Sequence, residues 1–189
     1  MGVESGSQKV LDAMDKGLSV TDVTTARSLL GIAGVRACFF LQFGYPGETW
    51  VDIQKTIELV RSTRPDEIGI SFSYPLPGTA FFERVQKQIG AKRNWTDSDD
   101  LCVMFSAAYN NDFYMALRNA LHAEVDSWNK VDKPGSHIDL ASLWQCVFEL
   151  EAVSRNSKAT TFPIDEITEG PGKRQFVPLQ KLIPAERQV

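Results

Sequence analysis

The stretch CFFLQFGYPGETW, residues 38–50, decides how the rest of the chain is read. Its first half belongs to a nearly continuous apolar and aromatic run, VRACFFLQF (35–43). Such a run fits a strand buried on both faces, as in a parallel sheet. Its second half breaks the strand with glycine and proline. Thr49 and Asp52, three residues apart, then form a capping box that opens a helix. Ile53, Ile57 and Val60 continue at helical spacing until Arg64-Pro65 stops it. The stretch is a strand, a turn and a helix in order.

The same order recurs on both sides. Downstream, IGISFS (68–73) alternates: Ile68, Ile70 and Phe72 on one face, Gly69, Ser71 and Ser73 on the other. The apolar face is expected to pack on helices. The small polar face leaves room for something other than a side chain. YPLPGT (74–79) ends this strand, and Thr79 can cap a helix carrying Phe82, Val85 and Ile89. Upstream, GVESGS (2–7) runs directly into a helical pattern, with no strand sequence in front of it. Ser5 and Gln8 read as a capping box; Val10, Leu11 and Met14 form a short stripe, and Gly17 stops it. Ser19 and Asp22 are a further box, opening a helix with Val23, Ala26, Leu30 and Ala33 on one face.

Helices alternating with strands imply a parallel sheet with right-handed crossovers. The strands 35–43 and 68–73 are therefore expected to pair in parallel. Two strands alone do not make an independent domain, so residues 1–90 read as a piece of something larger. Beyond them, residues 94–111 are a connecting segment with an acidic cluster, Asp97, Asp99 and Asp100. Residues 112–130 form an amphipathic helix with Phe113, Leu117, Leu121, Val125 and Trp128 on one stripe. After the turn KPGS (133–136), Asp139 can cap a last helix bearing Leu140, Leu143, Trp144, Val147 and Phe148. From about residue 156 the periodicity dissolves into an irregular tail holding four of the nine prolines.

Composition bounds the function. With 43% hydrophobic and 23% charged residues in 189, the chain has the makeup of a soluble globular protein. A net charge of -4 gives no electrostatic footprint for nucleic acid or an anionic membrane. No apolar run approaches the roughly 20 residues of a membrane helix, and no signal peptide is visible. Cys38, Cys102 and Cys146 form neither Cys-x-x-Cys nor Cys-x-x-x-Cys-x-x-Cys, and His122 and His137 stand at no ligand spacing from them. They read as buried, reduced thiols of a cytoplasmic protein, with no metal site.

Parallel α/β folds bind ligands at the carboxyl ends of their strands. Three such ends are present: GVESGS (2–7), FGYPGET (43–49) and SYPLPGT (73–79). Glycine lets backbone approach a ligand, and Glu4 can accept hydrogen bonds from hydroxyls or an amino group. Each turn taken singly also fits an ordinary βα connection. No P-loop lysine follows either glycine turn, and Glu4 stands where a nucleophile elbow needs serine.

The order of these motifs carries more than any one of them. GVESGS, then Gln8, Leu11, Met14 and Lys16-Gly17, then FGYPGET, then YPLPGT followed by Phe81-Phe82-Glu83 resembles the second half of the radical S-adenosylmethionine (SAM) enzymes. The likeness is nearest to the branch that often carries a cobalamin-binding domain and includes methyltransferases and the anaerobic cyclase of chlorophyll synthesis. It covers residues 2–90 well and continues more weakly to about Trp128.

The resemblance implies an α/β fold: the C-terminal part of a partial (β/α)6 TIM-like barrel with parallel strands, then a helical region and an irregular tail. The corresponding divisions are residues 1–93, 94–156 and 157–189. It also implies that Gly-x-Glu-Ser-Gly-Ser ends the fourth strand. That strand, and the first three with their cluster-binding Cys-x-x-x-Cys-x-x-Cys loop, would precede Met1, making Met1 an internal or truncated start. Carried over by position, Glu4 and Ser7, with Ser5 between them, contact the ribose or methionine part of SAM. Gly44, Tyr45 and Pro46 lie near the adenine, and Ser73 and Tyr74 at the pocket edge. SAM is the implied cofactor; a [4Fe–4S] cluster and cobalamin would belong to the complete enzyme, with ligands outside this chain. The implied chemistry is radical methyl transfer or oxidative cyclisation of a small molecule, with the missing half of the barrel as partner. The competing expectation is a non-catalytic binding remnant of the same fold. In either case residues 35–43 would leave an apolar strand edge, with Phe39, Phe40 and Phe43 exposed, inviting self-association or cover by FVPL (176–179).

Overall fold

The computed structural model describes residues 1–89, 102–129 and 139–161. The cluster at Asp97, Asp99 and Asp100, His137, the turn 133–136 and the tail from residue 162 on, FVPL included, lie outside the described residues. The elements run β1 (Gly2–Glu4), α1 (Gln8–Ala13), α2 (Val20–Ile32), β2 (Cys38–Phe43), α3 (Trp50–Thr63), β3 (Glu67–Phe72), α4 (Ala80–Ile89), α5 (Asn111–Asn129) and α6 (Leu140–Ser154). They form an α/β fold around one three-stranded sheet in the order β1-β2-β3. Both pairings are parallel; β2 and β3 pair from Cys38 opposite Glu67 to Phe43 opposite Phe72. The expected parallel pairing is what the structure shows. Three strands in sequential order fit one side of a barrel and an open singly wound sheet alike.

Sequential parallel order with right-handed crossovers puts every connecting helix on the same face of the sheet. The burial follows. Phe39, Leu41 and Phe43 of β2 and Ile68, Ile70 and Phe72 of β3 are buried with Val23, Ile53, Val60, Val85 and Leu117 from the helices. The other face is less covered. Cys38 and Gln42 are partly exposed, Ser71 is exposed, and Phe40 keeps 58% of its surface in solvent. The expectation that β2 is buried on both faces is therefore corrected: its apolar run serves one face only. Phe40 finds partial shelter because its ring lies over Gly69, where a Cβ would stand 2.9 Å from Cδ1. Phe39 and Phe43 are fully buried rather than exposed.

The start of the chain brings a second correction. Gly2–Glu4 is itself a strand, pairing with β2 through Gly2 opposite Phe40 and Glu4 opposite Leu41. The β2 edge expected to be unpaired is covered, and the outer edge belongs to β1.

Most helix starts match their sequence signals. Ser19 and Asp22 form the reciprocal capping box of α2. Asp52 accepts from the Thr49 amide and hydroxyl at the start of α3. Thr79 accepts from the Phe82 amide, and Asp139 from the Ser142 amide. The box expected at Ser5 and Gln8 does not form. The N-cap of α1 is Ser7, without a side-chain cap bond, because Ser5 and Ser7 turn toward α3 instead.

Helices α5 and α6 pack on the same core. Phe113, Leu117, Leu121 and Val125 are buried along the expected stripe, and Tyr114 stacks on Phe72 of β3 at 5.5 Å between ring centres. On α6 Val147 is buried while Phe148 is half exposed. Glu124 of α5 ties three helices together. It accepts from Nε and Nη2 of Arg61 on α3, at 2.7 and 2.8 Å, and from the indole N–H of Trp144 on α6 at 2.7 Å. The first residues of the expected tail are also engaged: the Asn156 amide donates to Ala108 and the Thr160 amide to Ser106.

Candidate functional site

Parallel pairing delivers the carboxyl ends of all three strands to one edge of the sheet. Glu4 closes β1 in the left-handed region, at φ 61°. A non-glycine residue held there stores strain of order 1–3 kcal/mol, and such residues cluster at functional sites. The Glu4 carboxylate is only partly buried and accepts a 2.6 Å ion pair from Lys16, which follows α1. A carboxylate and an ammonium thus sit side by side at the rim.

The next three residues are sewn to α3. Ser5 Oγ lies 3.1 Å from Thr56 Oγ1 and takes the Ser7 amide; the Gly6 amide donates to Thr56 Oγ1 at 2.9 Å. Ser7 Oγ donates to Asp52 Oδ1 at 2.6 Å. Asp52 also faces Lys9 at 3.3 Å. Burial pushes the Asp52 carboxyl up, but its bonds from Ser7 and Thr49 and the nearby Lys9 outweigh this and hold it below its ordinary value. Both serines are fully buried, and their hydroxyls already have internal partners.

After β2 the chain turns through Gly44 at φ 80°, a conformation that glycine adopts without penalty. Gly44 is buried beside Tyr114, and its amide donates to Glu48 Oε2 at 2.6 Å. Tyr45 donates its hydroxyl to the Ala13 carbonyl at 2.8 Å and packs on Phe81. Burial moves the Tyr45 phenol up. Pro46 is buried. After β3, Ser73 is buried, its amide bound to the Phe43 carbonyl and its hydroxyl accepting from Gln42. Tyr74 is half buried against the core.

The structure therefore brings Glu4, Gly44, Tyr45, Pro46, Ser73 and Tyr74 to the one edge where their strands end. It sets Ser5 and Ser7 beneath that edge, between β1 and α3. Sequence reasoning assigned no role to Lys16, Glu48 or Tyr114. Lys16 and Glu48 stand inside the quoted motifs, so a signal was there; Tyr114 reads as an ordinary core position of an amphipathic helix. Next to this edge, a cavity of about 450 Å³ opens between the start of α3 and Tyr109, Arg155 and Asn156.

Among the described residues no group of three His, Cys, Asp or Glu side chains could hold a metal ion. His122 lies in α5, where burial and the neighbouring Arg118 push its imidazole down toward the neutral form.

Fold and site define an α/β protein with a three-stranded parallel sheet whose strand ends share one glycine-containing edge. No protein-family model matches the chain. Curated relatives do, over part of it. A tRNA-2-methylthio-N(6)-dimethylallyladenosine synthase of Aromatoleum aromaticum is 38% identical over 84 residues, 41% of this chain and 18% of that protein. The human threonylcarbamoyladenosine tRNA methylthiotransferase is 33% identical over 95 residues, 48% of this chain and 16% of that protein. A putative methylthiotransferase of Methanocaldococcus jannaschii is 31% identical over 84 residues, 44% and 19% respectively. The chain spans less than a quarter of the length of such relatives. The likeness is to methylthiotransferases, a class within the radical SAM enzymes. It lends cobalamin no support.

Proposed function

We propose that this chain forms the adenosine-binding side of a radical SAM enzyme and works together with a cluster-bearing partner segment. One observation carries the reading. The three parallel strand ends set a strained, rim-facing carboxylate, a left-handed glycine turn and the Ser73-Tyr74 pair along one edge. The part-length likeness to methylthiotransferases supports the same family.

The residues suit the ligand. Glu4 is available to an ammonium or a ribose hydroxyl, and Lys16 beside it to a carboxylate. The backbone at Gly44 and the buried Pro46 offer a flat, partly apolar seat for a purine, and the hydroxyl of Tyr45, anchored on Ala13, holds that seat still. Ser5 and Ser7 support the edge through α3 rather than reaching the ligand. Bound SAM would supply the radical chemistry of the family. The cluster and its ligands belong to the partner segment. A small-molecule substrate remains part of this reading; the net charge of -4 gives no electrostatic argument for a polyanion. The less covered sheet face with its exposed Phe40 favours a second reading, a non-catalytic remnant that binds a partner through that face.

Titration calorimetry with S-adenosylhomocysteine, a stable product analogue, separates the two. The wild-type chain is expected to bind it, and Glu4→Ala to bind at least about tenfold more weakly. That loss matches one charge-assisted hydrogen bond, roughly 1.5–3 kcal/mol, where 1.4 kcal/mol is tenfold. A wild-type chain that binds no S-adenosyl compound removes the first reading and leaves the second.

A further inference from the structure

The cavity of about 450 Å³ at the start of α3 is separate from the strand-end edge: none of Glu4, Gly44, Tyr45, Pro46, Ser73 or Tyr74 lines it. Its volume falls within the range of small-ligand sites, roughly 300–1,000 Å³. Its walls are largely apolar, with Trp50 and Val51 from α3 and Ala108 and Tyr109 from the segment before α5. Among the described residues its lining holds one cation, Arg155, at the end of α6. A buried partner fixes that cation. Glu151 is 9% exposed, and its Oε1 accepts from Arg155 Nη2 and, at 2.9 Å, from the Tyr109 hydroxyl. The Arg155 side chain still keeps 64% of its surface in solvent. A guanidinium carries five N–H donors, more than one carboxylate oxygen can answer. A planar, permanently charged fork held from behind suits recognition of a carboxylate.

The other charged residue of the lining is Glu48. It is 2% exposed; Oε2 takes the Gly44 amide at 2.6 Å, and Oε1 has no partner. An unpartnered buried oxygen in the lining of a cavity points to a polar occupant. Burial raises the Glu48 carboxyl to about 8, so at neutral pH it sets little negative charge against an anion. Trp50 and Val51 open α3, whose N-terminal end adds partial positive charge at the same place. We propose that this cavity is a second ligand site, which takes a small amphipathic carboxylate. Its carboxylate pairs with Arg155 and the start of α3, and its aromatic or branched apolar body fills the space lined by Trp50, Val51, Ala108 and Tyr109. The site does not depend on the adenosine reading of the strand-end edge.

Two probes that differ in charge test it: hydrocinnamate, a phenyl ring on a short chain ending in a carboxylate, and its uncharged amide. Each is titrated into the full chain and followed by heteronuclear NMR at the backbone amides of residues 47–51. The acid is expected to saturate and to bind at least about tenfold more tightly than the amide, the scale of one charge-assisted hydrogen bond. Arg155→Gln should remove that preference. Val51→Trp, at a position 58% exposed, should weaken both probes by filling the space. Equal binding of acid and amide overturns the site, as does a preference that Arg155→Gln leaves intact. So does an acid that shows no saturation below about 10 mM, the reach of a ligand this small. Should Arg155→Gln fail to fold, the acid–amide ratio of wild type and the Val51→Trp titration decide, and probes unaffected by Val51→Trp overturn the proposal. S-adenosylhomocysteine should not displace the acid; displacement would place the probe on the strand-end edge and refute a separate site. A wild-type chain that binds no S-adenosyl compound removes the proposed function alone, and the two probes still decide this site.

Discussion

Gly6→Ala is expected to lower the unfolding midpoint by about 10 °C or to abolish folding, the scale of a loss of several kcal/mol. A Cβ at this position would stand 2.7 Å from Thr56 Cα and closer still to the Lys55 carbonyl. These are backbone atoms of α3, so no side chain can swing aside. Separating the loop from the helix would also break the Gly6–Thr56, Ser5–Thr56 and Ser7–Asp52 hydrogen bonds. Gly31→Ala is the control. It lies inside α2, where the added methyl meets only the end of the Arg27 side chain at 3.2 Å. It should stabilise by about 0.5–1 kcal/mol through helix propensity. Thermal unfolding of both variants checks the pair; a Gly6→Ala chain within about 2 °C of wild type would show that the loop does not touch α3 as described.

The second large effect is expected from Asp52→Ala. The carboxylate is 3% exposed and accepts from Ser7 Oγ, the Thr49 amide and hydroxyl, and Lys9. Its removal leaves buried donors unanswered and frees the start of α3, a cost of about 3–5 kcal/mol. The pH signs follow. Asp52 is held below 3.8, so its stabilisation is present above that value and lost as pH falls through its lowered folded value. Glu48 is raised from 4.5 to about 8, so its favourable burial is complete below 4.5 and lost as pH climbs to about 8. One group needs its charge and its neighbour needs its proton. This corner is therefore most stable between about 3.8 and 4.5 and weakens on both sides. Asp52→Ala should remove the acid limb of a stability–pH profile and keep the alkaline one. A variant that keeps the acid limb would assign it elsewhere.

How much of this was legible depends on how far apart the partners lie. The pairing of β2 with β3 could be read because each strand announces itself locally and each ends in a glycine–proline turn. Four of the five expected caps could be read because a cap spans only three residues. The failures have longer reach. Ser5 looked like the cap of α1 because its partner, Thr56, stands 51 residues away. Gly2–Glu4 is too short to show alternation, and only its neighbour makes it a strand. The apolar run of β2 hid its one-sided burial, since Phe40 is sheltered by the absence of a side chain at Gly69. Tyr114 reaches Gly44 and Phe72 only once α5 has docked on β3.

That docking bears on where the chain could be cut. A boundary after α4 looks natural along the sequence, near residue 93. Yet Glu124 bonds Arg61 of α3 and Trp144 of α6 at once, Trp50 of α3 meets the rings of both Phe113 and Phe148, and Tyr114 lies on β3. Removing α5 and α6 would strip α3 and β3 of apolar cover and leave Arg61 without its counter-charge. The sheet and the helical extension are thus expected to melt in a single step, with thermal transitions read by far-UV and near-UV circular dichroism coinciding. A shortened chain ending near residue 93 would be an unfolded polypeptide carrying the motifs, not a smaller version of the ligand edge.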